Sequence, residues 1–249
     1  MQTLGYTLNK QEFRDALCLR YNWKIHGTPR KCGGCGKDND TAHALSCKSG
    51  GYVSFRHDAI RDTEAELLKE ICRDVKIEPV LQQTKADLRR QTANKADQAR
   101  ADIAATGLWS TFERTLFDVR VTHPNAPSNR SKTMEQLYRR NEKEKKDKYV
   151  ERIVNVEKGT FVPLVYSTSG GTAPECSAHH KRVAQQLSLR RNERYEDIIN
   201  FIRVKISFAL LKSILMAIRG VRGKQKTGKG IPISCVSFGL IPVEPHYEA

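Results

Sequence analysis

The stretch from Lys31 to Cys47, KCGGCGKDNDTAHALSC, restricts this chain more than any other. Cys32, Cys35, His43 and Cys47 are spaced C-x2-C-x7-H-x3-C, which lets three thiolates and one imidazole converge on a single tetrahedral ion. One cysteine alone is usually a small buried hydrophobe, and one histidine alone is usually a hydrogen-bonded surface or core residue. Four such groups in a short polar loop are read together as a structural Zn2+ site. Gly33, Gly34 and Gly36 allow the tight turn that a C-x2-C knuckle needs. The competing readings are incidental cysteines and a disulfide. A disulfide framework is the weaker of these, because Cys18, Cys72, Cys176 and Cys235 are scattered and the total of 7 is odd, as expected in a reducing compartment.

The charge balance points to a polyanionic partner. A formal net charge of +15 over 249 residues favours nucleic acid over a neutral ligand. The basic residues are spread along the chain and do not form one face of an amphipathic helix, which argues against a membrane surface. Aromatics make up only 7%, so the expected contact is with the phosphate backbone more than with stacked bases. The N-terminus lacks a continuous apolar run, so no secretory signal is expected and the localisation is read as nuclear or intracellular. The most apolar stretch, ISFALLKSILMAI over 206–218, is too short to span a bilayer and contains Lys212. It is expected to be a buried helix.

Periodicity organises the remainder. Residues 9–23 have near-helical apolar spacing and lead into the cysteine loop. Over 54–74, Val53, Ile60, Leu67, Ile71 and Val75 fall on one stripe of an amphipathic helix, and His57 and Glu64 share that stripe. KIEPVLQ then reads as a short extended segment, and KADLRRQTANKADQ as a polar connector. ARADIAATG and TLFDVRVTHP are β-prone, the second with strict alternation, and predict a hairpin or two neighbouring strands. A long charged helix is expected over 132–157, a strand at FVPLVYSTSGG, and two further helices after it. The predicted class is α/β, a mixed central sheet flanked by helices. The divisions are 1–50 for the first helix and knuckle, 51–172 for the core, 173–222 for C-terminal helices, and 223–249 for a basic, loose tail.

Asp102 lies in one strand-like run and Asp118 in the next. Two carboxylates side by side at a sheet edge can hold a divalent cation that neutralises phosphate charge and activates water. The bland reading is that both are strand-end caps.

The cysteine cluster followed in order by RHDAIRD, ADI, FDVRV and KEKKDKY resembles the C-terminal region of site-specific non-LTR retrotransposon proteins. In that family a CCHC zinc knuckle precedes a restriction-like endonuclease core of the PD-(D/E)xK type. The resemblance runs from Arg20 to Gly171. It implies a hydrolase that nicks DNA with Mg2+ or Mn2+, with DNA and possibly element RNA as partners. Asp102 and Asp118 match the metal-binding acids, and Glu64 resembles the extra carboxylate of such sites, its plain alternative being a solvated charge at the stripe edge. Arg56 and His57 match a basic dipeptide beside the knuckle, for which phosphate contact and helix-start packing are equally suitable roles. Two positions depart from the family pattern. Ala101 stands in place of the usual proline, and Arg120 stands where D-x-K would put lysine; Arg120 is then left for backbone contact, because arginine cannot act as a base.

The missing lysine must come from elsewhere. On a helical wheel Met134, Tyr138, Tyr149, Ile153 and Val156 form an inward stripe on which Lys145 lies near the middle and Lys148 at the edge. The K-x2-K-Y pattern of the family falls on the same two lysines, and the plain alternative is a wholly solvated face. No polymerase motif occurs in the chain. The leading expectation is therefore a DNA endonuclease, followed by a noncatalytic zinc-containing nucleic-acid-binding module and, third, a partner domain in ribonucleoprotein assembly.

Overall fold

The computed structural model describes residues 6–82 and 99–222. The polar connector over 85–98, the basic tail and Cys235 lie outside the described residues. Helix α1 (Lys10–Arg20) begins with a reciprocal cap in which Asn9 accepts from the Glu12 amide and Glu12 accepts from the Asn9 amide, each at 2.9 Å. A short α2 (Thr41–Ser46) follows in the cysteine loop, and α3 (Tyr52–Ile71) is the expected amphipathic helix, except that it ends at Ile71 and not at 74, because the chain from Arg73, Val75 included, is taken into the sheet as a strand.

A four-stranded mixed sheet follows. Its strands, β1 (Arg73–Ile77), β2 (Ile103–Thr106), β3 (Arg114–Thr122) and β4 (Thr160–Ser167), are arranged in chain order. β1, β2 and β3 pair antiparallel, so the two predicted neighbouring strands form a hairpin. β4 runs parallel to β3, with Asp118 opposite Pro163. Proline is tolerated there because β4 is an edge strand and no further ladder needs its missing N–H. The crossover from β3 to β4 is helix α4 (Met134–Arg152), which widens into a π-helical turn at Ile153–Glu157. Two long helices, α5 (Pro174–Arg191) and α6 (Tyr195–Arg219), complete the fold.

Strand alternation sorts the sheet into two faces. Ile103, Ala105, Phe117 and Val119 pack into the main core with Ile60 and Leu68 of α3, Val183 and Leu187 of α5, and Ile202 of α6. Ala104 and Leu116 face the other way, against Tyr149 and Ile153 of α4. The main core also takes in Ile25 ahead of the cysteine loop, Ala44 and Leu45 within it, and Ile214 and Ile218 from α6. The segments divided by sequence at 50 and 172 therefore share one hydrophobic core.

On α6, Ile198, Ile202, Ile206, Leu210, Ile214 and Ile218 recur every four residues and are all buried. Lys212, the charge in that apolar stretch, reaches Glu12 of α1 at 2.7 Å. Among the described residues no helix is long and apolar enough to cross a membrane. On α4 the inward row is Leu137, Asn141, Lys145, Tyr149 and Ile153 at four-residue spacing, whereas Met134 is more than one-third exposed. The predicted stripe is therefore turned by part of a residue at its N-terminal end.

Candidate metal and acidic sites

The cysteine loop folds as a knuckle. The Cys32 amide donates to the Lys37 carbonyl and the Gly36 amide to the Cys32 carbonyl, both at 2.8 Å, and Gly36 takes the left-handed φ of +75° that closes the turn. Asp40 caps α2 by accepting from the His43 amide at 2.6 Å, which sets His43 on the first turn of α2, with Cys47 just beyond the end of that helix. Cys32 Sγ lies 3.9 Å from Cys47 Sγ, Cys47 Sγ lies 3.8 Å from Cys35 Sγ, and Cys35 Sγ lies 3.3 Å from His43 Nε2. A zinc–sulfur bond of about 2.3 Å gives a tetrahedron with edges of about 3.8 Å. The sulfur spacings match that edge and are far from the roughly 2 Å of a disulfide. The four side chains can bind a metal such as zinc.

Two buried arginines fasten the knuckle to the body. Arg56 donates to the Leu45 carbonyl and Arg222 to the Ala44 carbonyl, each at 3.0 Å, so they satisfy carbonyls at the end of α2. Arg56 is only 2% exposed, and burial lowers its pKa to about 10. The structure thus corrects the phosphate-contact reading of Arg56, since its guanidinium is sealed beneath the knuckle. Nearby, Asp15 of α1 is held by Arg219 of α6 through two hydrogen bonds of 2.6 Å.

The second site lies at the start of β2 and the middle of β3. Asp102 Oδ2 accepts from the Val119 amide at 2.6 Å and stands 3.0 Å from His57 Nε2. Asp118, on the α4 face, forms an ion pair with Lys145. Burial raises the Asp118 pKa, and the charge of Asp102 raises it further; together they outweigh the opposing effect of Lys145. Asp102 goes the other way. Burial pushes its carboxyl up, but the hydrogen bond and charge of His57 prevail and hold it below the usual range. For His57, burial alone would lower the pKa, yet Asp102 and Asp58 raise it to about 9. Two carboxylates that repel each other in a half-sealed setting suit a divalent cation, which would relieve that repulsion with oxygen ligands of the right type.

The neighbouring α4 residues divide clearly. Lys145 points inward to Asp118, while Lys148 is exposed, with its ammonium 2.8 Å from the Tyr149 hydroxyl and 4.5 Å from the ring centroid. The Tyr149 hydroxyl donates to the Arg100 carbonyl at 3.1 Å, and burial followed by the Asp118 charge raises its pKa. Arg120 pairs with Glu144 of α4 at 3.1 Å and remains 38% exposed along its side chain. Lys143 is exposed, and Lys146 pairs with Glu175 at 2.5 Å.

Glu64 does not join this group. Its two oxygens meet His180 Nε2 at 2.8 Å and His179 Nε2 at 2.9 Å, and the Tyr166 hydroxyl donates to it at 2.5 Å. His179 packs edge-on against Phe117 with ring centroids 5.0 Å apart. Phe117 and Asp118 alternate to opposite faces of β3, so the sheet separates Glu64 from Asp118, which corrects its expected place beside the acids. Burial works to raise the Glu64 pKa, but His180 and His179 hold the carboxylate well below its usual range. The adjacent histidines of SAHHKR were the missed signal. A two-histidine step on a helix otherwise lined with apolar residues marks a buried polar partner elsewhere in the chain.

No protein-family model matches the chain, and no curated protein matches it.

Proposed function

We propose that the chain is a metal-dependent DNA endonuclease of the restriction-like PD-(D/E)xK type, derived from a non-LTR retrotransposon protein and acting on nuclear DNA. One observation carries this reading: Asp118, Asp102 and Lys145, drawn from three separate elements, share one partly sealed site. A buried carboxylate pair faced by a lysine suits phosphodiester hydrolysis better than it suits fold stability, since mutual repulsion makes the pair costly by itself.

Asp102 and Asp118 would hold Mg2+ or Mn2+, which supplies neutralisation of phosphate charge and a bound water of lowered pKa. Lys145 Nζ orients the attacking water and stabilises charge developing on the phosphate oxygens. His57 positions Asp102 through the 3.0 Å contact and keeps that carboxylate ionised. Lys148 and Arg120, both at the rim, are suited to the DNA backbone. The knuckle, rigidly seated on α3 and α6, helps to seat the duplex, and element RNA is a second polyanion that the same basic surface would accept.

A noncatalytic zinc-containing nucleic-acid-binding module is the alternative, favoured by one observation. Arg120 occupies the position two residues after Asp118, so the site has no lysine on the same strand. The two readings separate in a plasmid-nicking assay with Mg2+. Nicking by the wild type that is lost in Asp118→Ala supports the nuclease, and equal DNA binding with no nicking by either protein supports the module.

A further inference from the structure

Behind the sheet, α3, β4 and α5 bring five polar side chains together in a sealed cluster. Glu64 and His179 are wholly buried, Cys176 is equally sealed, and His180 and Tyr166 are nearly so. Besides the two imidazole contacts of Glu64, Cys176 Sγ lies 3.8 Å and the Tyr166 hydroxyl 3.0 Å from His180 Nε2. The ligand atoms of Glu64, His179 and His180 all lie within 4.8 Å of one another.

We infer that Glu64, His179 and His180 form a second metal centre that takes a zinc-type divalent ion. Its geometry is the first argument. Consecutive residues on a helix project about 100° apart, so His179 and His180 present the same ring nitrogen to one carboxylate only because both side chains turn toward a shared point. A tetrahedral ion with oxygen and nitrogen bonds of about 2.0 Å has ligand edges of about 3.3 Å. The present 2.8 and 2.9 Å spacings reach that edge by an opening of roughly half an ångström, within ordinary side-chain adjustment. Cys176 Sγ, 3.8 Å from His180 Nε2, stands outside the group of three ligand atoms that all approach one another.

Charge is the second argument. A buried carboxylate needs full compensation. A divalent ion bonded directly to the Glu64 carboxylate and to the two imidazoles would supply that compensation. The Tyr166 hydroxyl remains as a hydrogen-bond donor to Glu64, the kind of outer support that metal ligands commonly have.

The position explains what such a centre would do. Glu64, His179 and His180 are sealed from solvent, which makes the centre structural. It would bolt α3 to α5 directly behind β3. Glu64 lies two turns beyond His57 on α3, and His179 packs on Phe117, the neighbour of Asp118. The inference concerns metal content and stands independently of the nuclease reading.

The test is zinc stoichiometry on the full chain, loaded with zinc alone and dialysed against a weak chelator. Two zinc ions per wild-type chain are expected, falling to one in Cys35→Ser and one in His180→Gln, and staying at two in Asp118→Asn. One zinc per wild-type chain would overturn the inference. So would a second zinc lost in Asp118→Asn and kept in His180→Gln, because the ion would then belong to the acidic pair. X-ray absorption on the wild type needs no variant to fold. Knuckle plus buried centre give an average of about one and a half sulfur ligands per zinc, whereas the knuckle alone gives about three, and three would overturn the inference.

Discussion

Lys145 reaches from the crossover helix α4 to the carboxylate of Asp118 on β3, so an ion pair fills a position on the inward row between Asn141 and Tyr149. That position would otherwise take an apolar residue, and the cost of placing a charge there has a counterpart in the proposed chemistry. Replacing Lys145 by Met should lower nicking by roughly tenfold or more with little change in DNA affinity. Lys148→Met should lower nicking less, because its ammonium is exposed beside Tyr149 and not at Asp118, and Lys143→Met should have no effect. Nicking and binding measured on the same preparations check this. Equal small losses of affinity in all three variants, with cleavage following binding, would reduce α4 to an electrostatic surface.

Asp102→Ala and Asp118→Ala should each abolish nicking and leave DNA affinity unchanged or higher. Each removes a candidate metal ligand and one negative charge, and neither removes a phosphate contact. Asp102→Ala also leaves His57 without its strongest partner, so it should be the more destabilising of the two. Thermal unfolding of both variants gives the comparison. Persistent nicking by both would move the catalytic metal elsewhere.

Removing metal from the knuckle should loosen 30–48 before the sheet. The ion stands in for a hydrophobic core in that loop, and its release also frees the α2 carbonyls that Arg56 and Arg222 satisfy. Hydrogen exchange with and without chelator should show lost protection first at Ala44 to Cys47. Uniform loss across β2 and β3 at the same rate would contradict a local unit.

Asp15 and Arg219 make an acid-sensitive clasp between α1 and α6. The hydrogen bonds from Arg219 hold the Asp15 carboxyl below its ordinary range, against the opposing effect of burial. Because the folded pKa is depressed, its stabilisation is complete above the unfolded value of about 3.9 and is lost as pH falls through the lower folded value. Asp15→Asn should cost roughly 2 kcal/mol at neutral pH, as for a hydrogen bond to a charged group. It should also flatten the decline of stability in acid. Denaturant titrations at neutral pH and in acid measure both effects, and an unchanged acid slope would assign that decline to other carboxylates.

DNA affinity should depend steeply on salt. Several lysines and arginines neutralising phosphates release counterions, so affinity should fall by about a thousandfold between 50 and 200 mM salt if some six phosphates are contacted. A flat response in a titration would point to a partner other than nucleic acid.

What the sequence determined by itself was local. The C-x2-C-x7-H-x3-C spacing suffices for the knuckle because all four ligands lie within 16 residues and the glycine turn is encoded among them. The amphipathic pattern of α3, the alternation in β3 and the apolar run within α6 likewise announce their elements, since each depends on local sequence and not on a partner. The wheel of α4 brought Lys145 inward because only the helical repeat was needed. Tertiary structure decided everything that depends on which face meets which. Arg56 and His57 are neighbours on one helix, yet the first is sealed against the Leu45 carbonyl and the second reaches Asp102, because α2 docks over one side of α3 and the sheet lies under the other. Glu64 shares a stripe with His57 but meets His179 and His180 from a helix more than 100 residues later. A helical period records that a side chain faces inward, but not which buried groups will be waiting there, and that follows only from how α3, the sheet and α5 pack.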